Sequence, residues 1–219
     1  MTTQSISETN GINLLFPEDR KIYSIGISTA GSAEIKMALV DGQRQIIATT
    51  IDPRGAEYAE KCIQESKLSG QIQVKIEDVS KPLPYPDDYF DYIYARLVLH
   101  YLTKDELTSA LTELHRVLRK GGRIFVVVRS IDCPEAFKGQ FDPLTHLTTY
   151  SSGVKPYSRY FHSEESISHY LSQAGFTIQN IDAYQEQLCV DFQRTKLANQ
   201  MDSLIEVLGV KLIGDRILE

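Results

Sequence analysis

Short apolar runs alternate with longer amphipathic stretches along most of the 219-residue chain, and the alternation predicts strands separated by helices. Residues 21–27 form a β-prone run that ends in a loop of small residues, 28–32, and 33–40 read as a helix. Residues 45–51 form a second strand closing at Asp52-Pro53, followed by a helix over 55–66 and a third strand over 71–76 with period-two alternation. A proline-punctuated turn at 83–88 leads into a fourth strand, 90–95. The strongest helical pattern covers 103–118, with Leu107, Ala110, Leu111, Leu114 and Leu118 at 3.6-residue spacing. Thr103 and Glu106 have the spacing of a capping box, and Lys120-Gly121-Gly122 reads as its C-terminal turn. Residues 123–128 are the most apolar run, as a central parallel strand buried on both faces should be.

The ends of the chain read less regularly. Residues 1–20 are a tail or incipient helix with an apolar patch over 12–16, suited to edge packing or to a lid. Residues 133–162 form a loose, aromatic-rich segment with no evident period. A helix over 163–175 is capped at Ser163, and 176–184 and 187–192 read as the last two strands. The extension 194–219 reads as helical, with Leu197, Met201, Leu204, Ile205 and Leu208 on one face over 195–208. Repeated strand–helix–strand units imply one α/β domain, 1–219, built on a doubly wound, mostly parallel sheet. Ligands of such sheets bind at the carboxyl ends of the strands. That rule gathers the segment from Gly26 to Gly31, Asp52, Asp78 and the residues after Tyr94.

Composition narrows the class. Apolar residues are 42% and charged residues 24%, which fits a soluble globular chain and excludes disordered or collagen-like ones. The formal net charge of −6 and the lack of a long basic run weigh against nucleic acid as a partner and favour a small-molecule substrate. Cys62, Cys133 and Cys189 are far apart and form no metal-ligand spacing, so no metal is expected and they read as small core residues of a reducing compartment. No apolar run approaches the roughly 18 residues that span a bilayer, so the expectation is a cytoplasmic protein without membrane contact.

Three stretches give a more specific identification. Leu83-Pro-Tyr-Pro-Asp-Asp-Tyr-Phe-Asp-Tyr-Ile-Tyr-Ala95, Leu97-Val-Leu-His-Tyr-Leu102 and Leu114-His-Arg-Val-Leu-Arg-Lys-Gly-Gly-Arg-Ile-Phe-Val resemble the LPFPDxSFDxVxA, xVLHHL and xRVLKPGGxLxI segments of the class I S-adenosylmethionine-dependent methyltransferases, in particular the type 11 group. The resemblance extends over residues 20 to 190 and implies a Rossmann-like, seven-stranded sheet whose final strand is antiparallel. It also implies S-adenosyl-L-methionine as cofactor. The glycine-rich first loop of that family is degenerate here: Gly26 matches, Ser28 and Ala30 replace glycines, and Ser24 replaces an acid that helps fix the ligand's amino-acid end. Glu34 lies nearby and could compensate for that acid, but reads more readily as an exposed helix residue.

The cofactor's parts suggest roles for individual residues. Gly26, Ser28 and Ala30 would bring backbone close to the ligand, before a helix N-terminus that favours its carboxylate. Asp52, followed by Pro53, would accept the ribose hydroxyls, or serve instead as a helix cap. Asp78 would take the adenine amino group, with Val79 beside the ring, and Ala95 is a further cofactor-binding candidate. His100 and Tyr101, just past the fourth strand, are candidates for proton transfer or substrate contact, with packing as the alternative for His100. His146, Tyr157, Tyr160 and His162 are substrate-contact candidates in the loose segment. Two other functions fit parts of the pattern: a catalytically inactive binding or regulatory protein of this fold, and a nicotinamide-dependent oxidoreductase suggested by the faint Gly26-x-Ser28-x-x-Gly31 fingerprint.

Overall fold

The computed structural model describes residues 5–27, 31–151, 156–189 and 196–214. The main sheet contains β1 (Lys21–Ile25), β2 (Gln45–Thr50), β3 (Ile72–Ile76), β4 (Phe90–Arg96), β5 (Leu118–Arg129), β9 (Thr177–Glu186) and β10 (Asp202–Val210). Their spatial order is β3-β2-β1-β4-β5-β10-β9. The first five are mutually parallel, while β10 runs antiparallel to both β5 and β9. Six strands therefore share one direction and the last in sequence is reversed, as the resemblance implied.

Helices cover both faces. On one side α4 (Lys104–Val117) and α5 (Glu164–Gln173) pack Leu107, Leu111, Leu114, Ile167 and Leu171 against Ile25, Ile93 and Val126. On the other, α2 (Ser32–Val40) and α3 (Pro53–Glu65) place Met37, Ala59 and Ile63 against Ile22, Ile46 and Ile72. The capping box at α4 is formed: Thr103 Oγ1 accepts from the Glu106 amide at 3.3 Å, and Glu106 Oε2 accepts from the Thr103 amide at 2.9 Å.

The N-terminal segment forms α1 (Ile6–Asn13), which lies against the sheet face. Its backbone packs directly on aromatic rings, since a Cβ at Gly11 would sit 2.5 Å from ring carbons of Tyr94 and Phe125. The Tyr92 hydroxyl donates to the Gly11 carbonyl at 2.7 Å. Arg96, at the end of β4, donates to the Ser7 and Ser5 hydroxyls at 2.7 and 2.8 Å. Glu186, at the end of β9, accepts from Ser5 Oγ and from the Ser7 amide.

Four stretches differ from the sequence expectation or lie partly outside the described residues. Of the helix expected over 195–208, residue 195 lies outside the described residues and 202–208 belong instead to the interior strand β10. Inserted between β5 and β9, it is buried on both faces, with Leu204 in one core cluster and Ile205 and Val207 in the other. Such a strand reads as a continuous apolar run whose period does not separate it from a buried helix. The strand expected over 187–192 lies partly outside the described residues, and 187–189 hold only an isolated bridge at Cys189. Lys120-Gly121-Gly122 is not a helix C-cap: α4 stops at Val117 and these residues lie within β5, where the Gly121 amide donates to the Lys211 carbonyl at 2.7 Å. The loose segment 133–162 contains a three-stranded antiparallel sheet of β6 (Gln140–Phe141), β7 (Leu147–Tyr150) and β8 (Tyr157–Tyr160).

A glycine-to-alanine change inside a helix ordinarily stabilises by about 0.5–1 kcal/mol. At Gly11 the ring contacts reverse the sign, so Gly11→Ala is expected to cost about 1–3 kcal/mol by overpacking. Urea unfolding of the variant checks this; equal or greater stability than the parent would show that α1 does not press on Tyr94 and Phe125.

Candidate active site

The register of the parallel strands brings their carboxyl ends into line. Ile25 pairs with Thr49 on one side and Ala95 on the other, and Thr50 pairs with Ile76. Gly26, Asp52 and Asp78 therefore follow three adjacent strand ends. Gly26 has φ +74°, and both its amide and that of Ile27 donate to the Thr49 carbonyl at 2.8 Å. A Cβ at Gly26 would lie 2.8 Å from Val98 Cβ, so the turn is closed to any larger residue. Gly31, also left-handed at φ +70°, starts α2. Ser28 and Ala30 lie outside the described residues.

Asp52 is the N-cap of α3, with Pro53 in the first turn, and its Oδ1 accepts from the Arg54 amide at 3.2 Å. The capping alternative is thus realised. It uses one carboxylate oxygen; Oδ2 has no hydrogen bond among the described residues and faces the small Gly55. An exposed carboxylate with one oxygen engaged remains suited to a ribose hydroxyl. Asp78 is exposed and accepts from the Ser80 amide and hydroxyl at 2.9 and 2.7 Å. Partial burial works to raise its carboxyl, but the Ser80 hydrogen bonds prevail and hold it below the usual carboxylate range. Val79 is buried in the core cluster containing Tyr23, Ile25 and Leu83, and Ala95 is fully buried in β4 between Ile25 and Val126.

A second group of residues surrounds the ends of β4 and β5. His100 lies in a 3₁₀ turn, Leu99–Tyr101, and is only 1% exposed, with no partner for Nδ1 among the described residues. Burial, reinforced by the nearby charges of Arg129 and Arg159 and by His162, pushes its pKa well below the ordinary value, so the ring is neutral. Its ring lies 4.6 Å from that of Tyr101, whose hydroxyl accepts from Arg159 at 2.9 Å. Arg159 pairs with Glu135, and the Tyr157 hydroxyl donates to Glu135 at 3.1 Å. His162 is fully buried, its ring is tilted by 54° to that of Tyr160 at 4.3 Å, and its Nε2 has no hydrogen-bond partner among the described residues. His146, at φ +58°, is 6.2 Å from Tyr160. These sequence-derived candidates are therefore linked through β8 into one patch beside the ends of β4 and β5.

Several residues of this patch were missed by sequence reasoning. Arg159 and Glu135 join Tyr101 to Tyr157 only through space. Arg129 bonds Asp202 and lies 3.3 Å from Glu135. A cation closing an apolar strand, as Arg96 closes β4 and Arg129 closes β5, is the one signal that marks them in sequence. The donor atoms of Cys133, Glu135 and Asp202 lie within 4.8 Å of one another, but Arg129 and Arg159 already supply positive charge to both carboxylates. Cys133 is buried as expected, whereas Cys62 and Cys189 are only half-buried. Glu34, expected on an exposed helix face, is 2% exposed and turned toward β1. No helix among the described residues is long and apolar enough to cross a membrane.

Sheet order and the reversed final strand define the Rossmann-like fold that SAM-dependent methyltransferase structures share. Residues 25–126 match the family described as a methyltransferase domain, Methyltransf_11. A SAM-dependent methyltransferase structure from Methanosarcina mazei superposes with a TM-score of 0.71 at 18% identity, covering 93% of this chain and 97% of that one. The ubiquinone/menaquinone biosynthesis C-methyltransferase UbiE of Vibrio vulnificus is 28% identical over 129 residues, 58% of this chain and 45% of that protein. The corresponding protein of Rhizobium johnstonii is 28% identical over 185 residues, 76% of this chain and 69% of that protein. The match thus spans less than half the length of the first of these relatives and about two thirds of the second.

The buried imidazoles have a consequence for stability. Burial lowers the pKa of His162 from 6.5 to about 3, and lowers His100 and His115 in the same direction. The unfolded chain therefore takes up these protons first as pH falls. Their contribution is complete above pH 6.5 and is lost as pH falls below it, at up to about 1.4 kcal/mol per pH unit for each ring. His162→Phe is expected to flatten the decline in urea stability between about pH 6.5 and 4. An unchanged slope would show that His162 is accessible to protons in the folded state.

Proposed function

We propose that this protein is an S-adenosylmethionine-dependent methyltransferase that acts on a small-molecule acceptor. The reading is carried by the alignment of Gly26, Asp52 and Asp78 at the ends of three adjacent parallel strands, beside a patch of neutral histidines and tyrosines. When bound there, the cofactor supplies an electrophilic methyl group on a sulfonium centre. The first turn at Gly26, Asp52 through its second oxygen, and Asp78 are the residues that would hold the cofactor, at its amino-acid end, ribose and base respectively. Positioning of acceptor and methyl group in line contributes most of the rate in such a displacement.

In this reading His100 would take a proton from the acceptor. Its burial beside Arg129 and Arg159 keeps it unprotonated, which is the state a proton acceptor needs. Tyr101, held by Arg159, supplies a hydroxyl close to that ring, and Tyr157, Tyr160, His146 and His162 extend the acceptor side. The relatives' printed names, which concern C-methylation in ubiquinone and menaquinone biosynthesis, make an aromatic carbon acceptor the first class to assay.

Calorimetric titration tests the cofactor half of the reading. S-Adenosylmethionine and S-adenosylhomocysteine are expected to bind and NAD is not; no heat from either adenosyl ligand at about millimolar concentration overturns it. Asp52→Ala should weaken S-adenosylhomocysteine by about tenfold or more, a loss of about 1.4 kcal/mol. For the chemical half, His100→Phe should keep S-adenosylhomocysteine affinity within about twofold while lowering methyl transfer to an aromatic acceptor by about a hundredfold. Full activity in that variant would remove His100 from proton transfer.

A further inference from the structure

At its carboxyl end β5 changes partner. Its contact with β4 finishes where the Leu97 amide donates to the Val127 carbonyl at 2.8 Å. The chain leaving β8 then takes the place of β4: the His162 amide donates to the Arg129 carbonyl at 3.0 Å, and the Ile131 amide to the His162 carbonyl at 2.9 Å. The turn Leu99–Tyr101 packs against both β5 and β8. Around this junction, four buried polar atoms have no hydrogen-bond partner among the described residues: His100 Nδ1, His162 Nε2, Arg129 Nε and Arg159 Nε. Their side chains are neighbours. Arg129 and Arg159 both meet Glu135 Oε2, and the charges of both guanidinium groups, together with His162, bear on His100. The exposed rings of Tyr101 and Tyr157 each lie 5.1 Å from the Arg159 guanidinium.

We propose that these groups recognise a carboxylate carried by a planar, aromatic methyl acceptor, with Arg159 as the residue that sets this specificity. The proposal rests on the methyltransferase reading above and names the class of acceptor within it. A buried donor without an acceptor is costly, and four such atoms at one junction form a complementary set for a ligand. Their chemistry selects that ligand. A guanidinium Nε–H can only donate, and a neutral imidazole donates from one of its nitrogens. An ionised carboxylate only accepts, and its two oxygens offer about four lone-pair sites. An amine or other cation would leave the guanidinium donors unmet. A neutral carbonyl offers fewer sites and lacks the charge that strengthens such bonds. Asp202, Glu135 and the Tyr101 hydroxyl engage only terminal nitrogens of the two guanidinium groups, which orients both and leaves each Nε to the ligand. Tyr101 and Tyr157 present ring faces to an aromatic body at the same place. By donating from Nδ1 to the carboxylate, His100 would keep its lone pair on Nε2, the form in which an imidazole takes up a proton.

Benzoate and benzamide test the carboxylate, because they share a shape and differ in one charged, acceptor-only group. Both are titrated calorimetrically into the protein, free and saturated with S-adenosylhomocysteine. Benzoate is expected to bind at least about tenfold more tightly than benzamide. Arg159→Lys keeps the charge but removes the planar fork, and should weaken benzoate by about tenfold while leaving benzamide and S-adenosylhomocysteine within about twofold. Nitrogen NMR spectra of histidine-labelled protein read the site directly: the imidazole signals of His100 and His162 are expected to move when benzoate is added. Equal affinity for benzoate and benzamide, unchanged selectivity in Arg159→Lys, or unmoved imidazole signals overturns the proposal. Should Arg159→Lys fail to fold, the paired variant Glu135→Gln with Arg159→Gln removes both charges together and carries the same test, with the same selective loss expected. Failure of S-adenosylhomocysteine to bind the parent protein is a different result. It overturns the cofactor reading, while the titrations of the free protein still decide the carboxylate site.

Discussion

The in-register pairing of parallel strands is the constraint on which the site depends. β1, flanked by β2 and β4, fixes where each neighbour ends, and β3 follows β2 in the same way. Parallel strands need crossover helices, and these cover both faces of the sheet. The faces are then occupied by side-chain packing, and the carboxyl edge is where loops converge. Gly26, Asp52 and Asp78 meet there because equal strand ends leave their loops side by side, although they are separated by about 26 residues each in sequence.

Remote segments are secured to that edge by buried polar contacts rather than by further strands. Arg96 and Glu186 hold the start of α1 through Ser5 and Ser7. Arg129, Asp202, Glu135 and Arg159 connect β5, β10 and the small sheet of β6, β7 and β8. Such networks are expensive to break, because removing one partner leaves a desolvated charge behind. They therefore hold Tyr101, Tyr157 and the buried histidines in one arrangement. The same burial lowers the pKa of His100 and His162 and keeps both rings neutral.

The main elements were legible where one pattern had one solution. The capping box at Thr103 and Glu106, the amphipathic face of α4 and the apolar run of β5 each point to a single structure. The strand-end rule likewise selected Gly26, Asp52, Asp78 and His100. Where a pattern had two solutions, local reasoning chose wrongly or could not choose. Residues 202–210 satisfy a helical period as well as a strand buried on both sides, and only the gap between β5 and β9 selects the strand. Glu34 has the sequence context of an exposed helix residue, and only the approach of Ser24 shows that it is buried.

The sequence by itself determined the strand–helix alternation, the capped helices and the residue types at the strand ends, because these depend on contacts a few residues apart and on the periodicity of a single element. The tertiary structure decided which charges meet. The pairs Ser24–Glu34, Arg96–Glu186 and Arg159–Glu135 span 10, 90 and 24 residues of chain and cross between elements, so no local period records them. Their formation depends on the order in which strands are placed in the sheet. That order is set by burial of the whole apolar surface and cannot be read from any one segment.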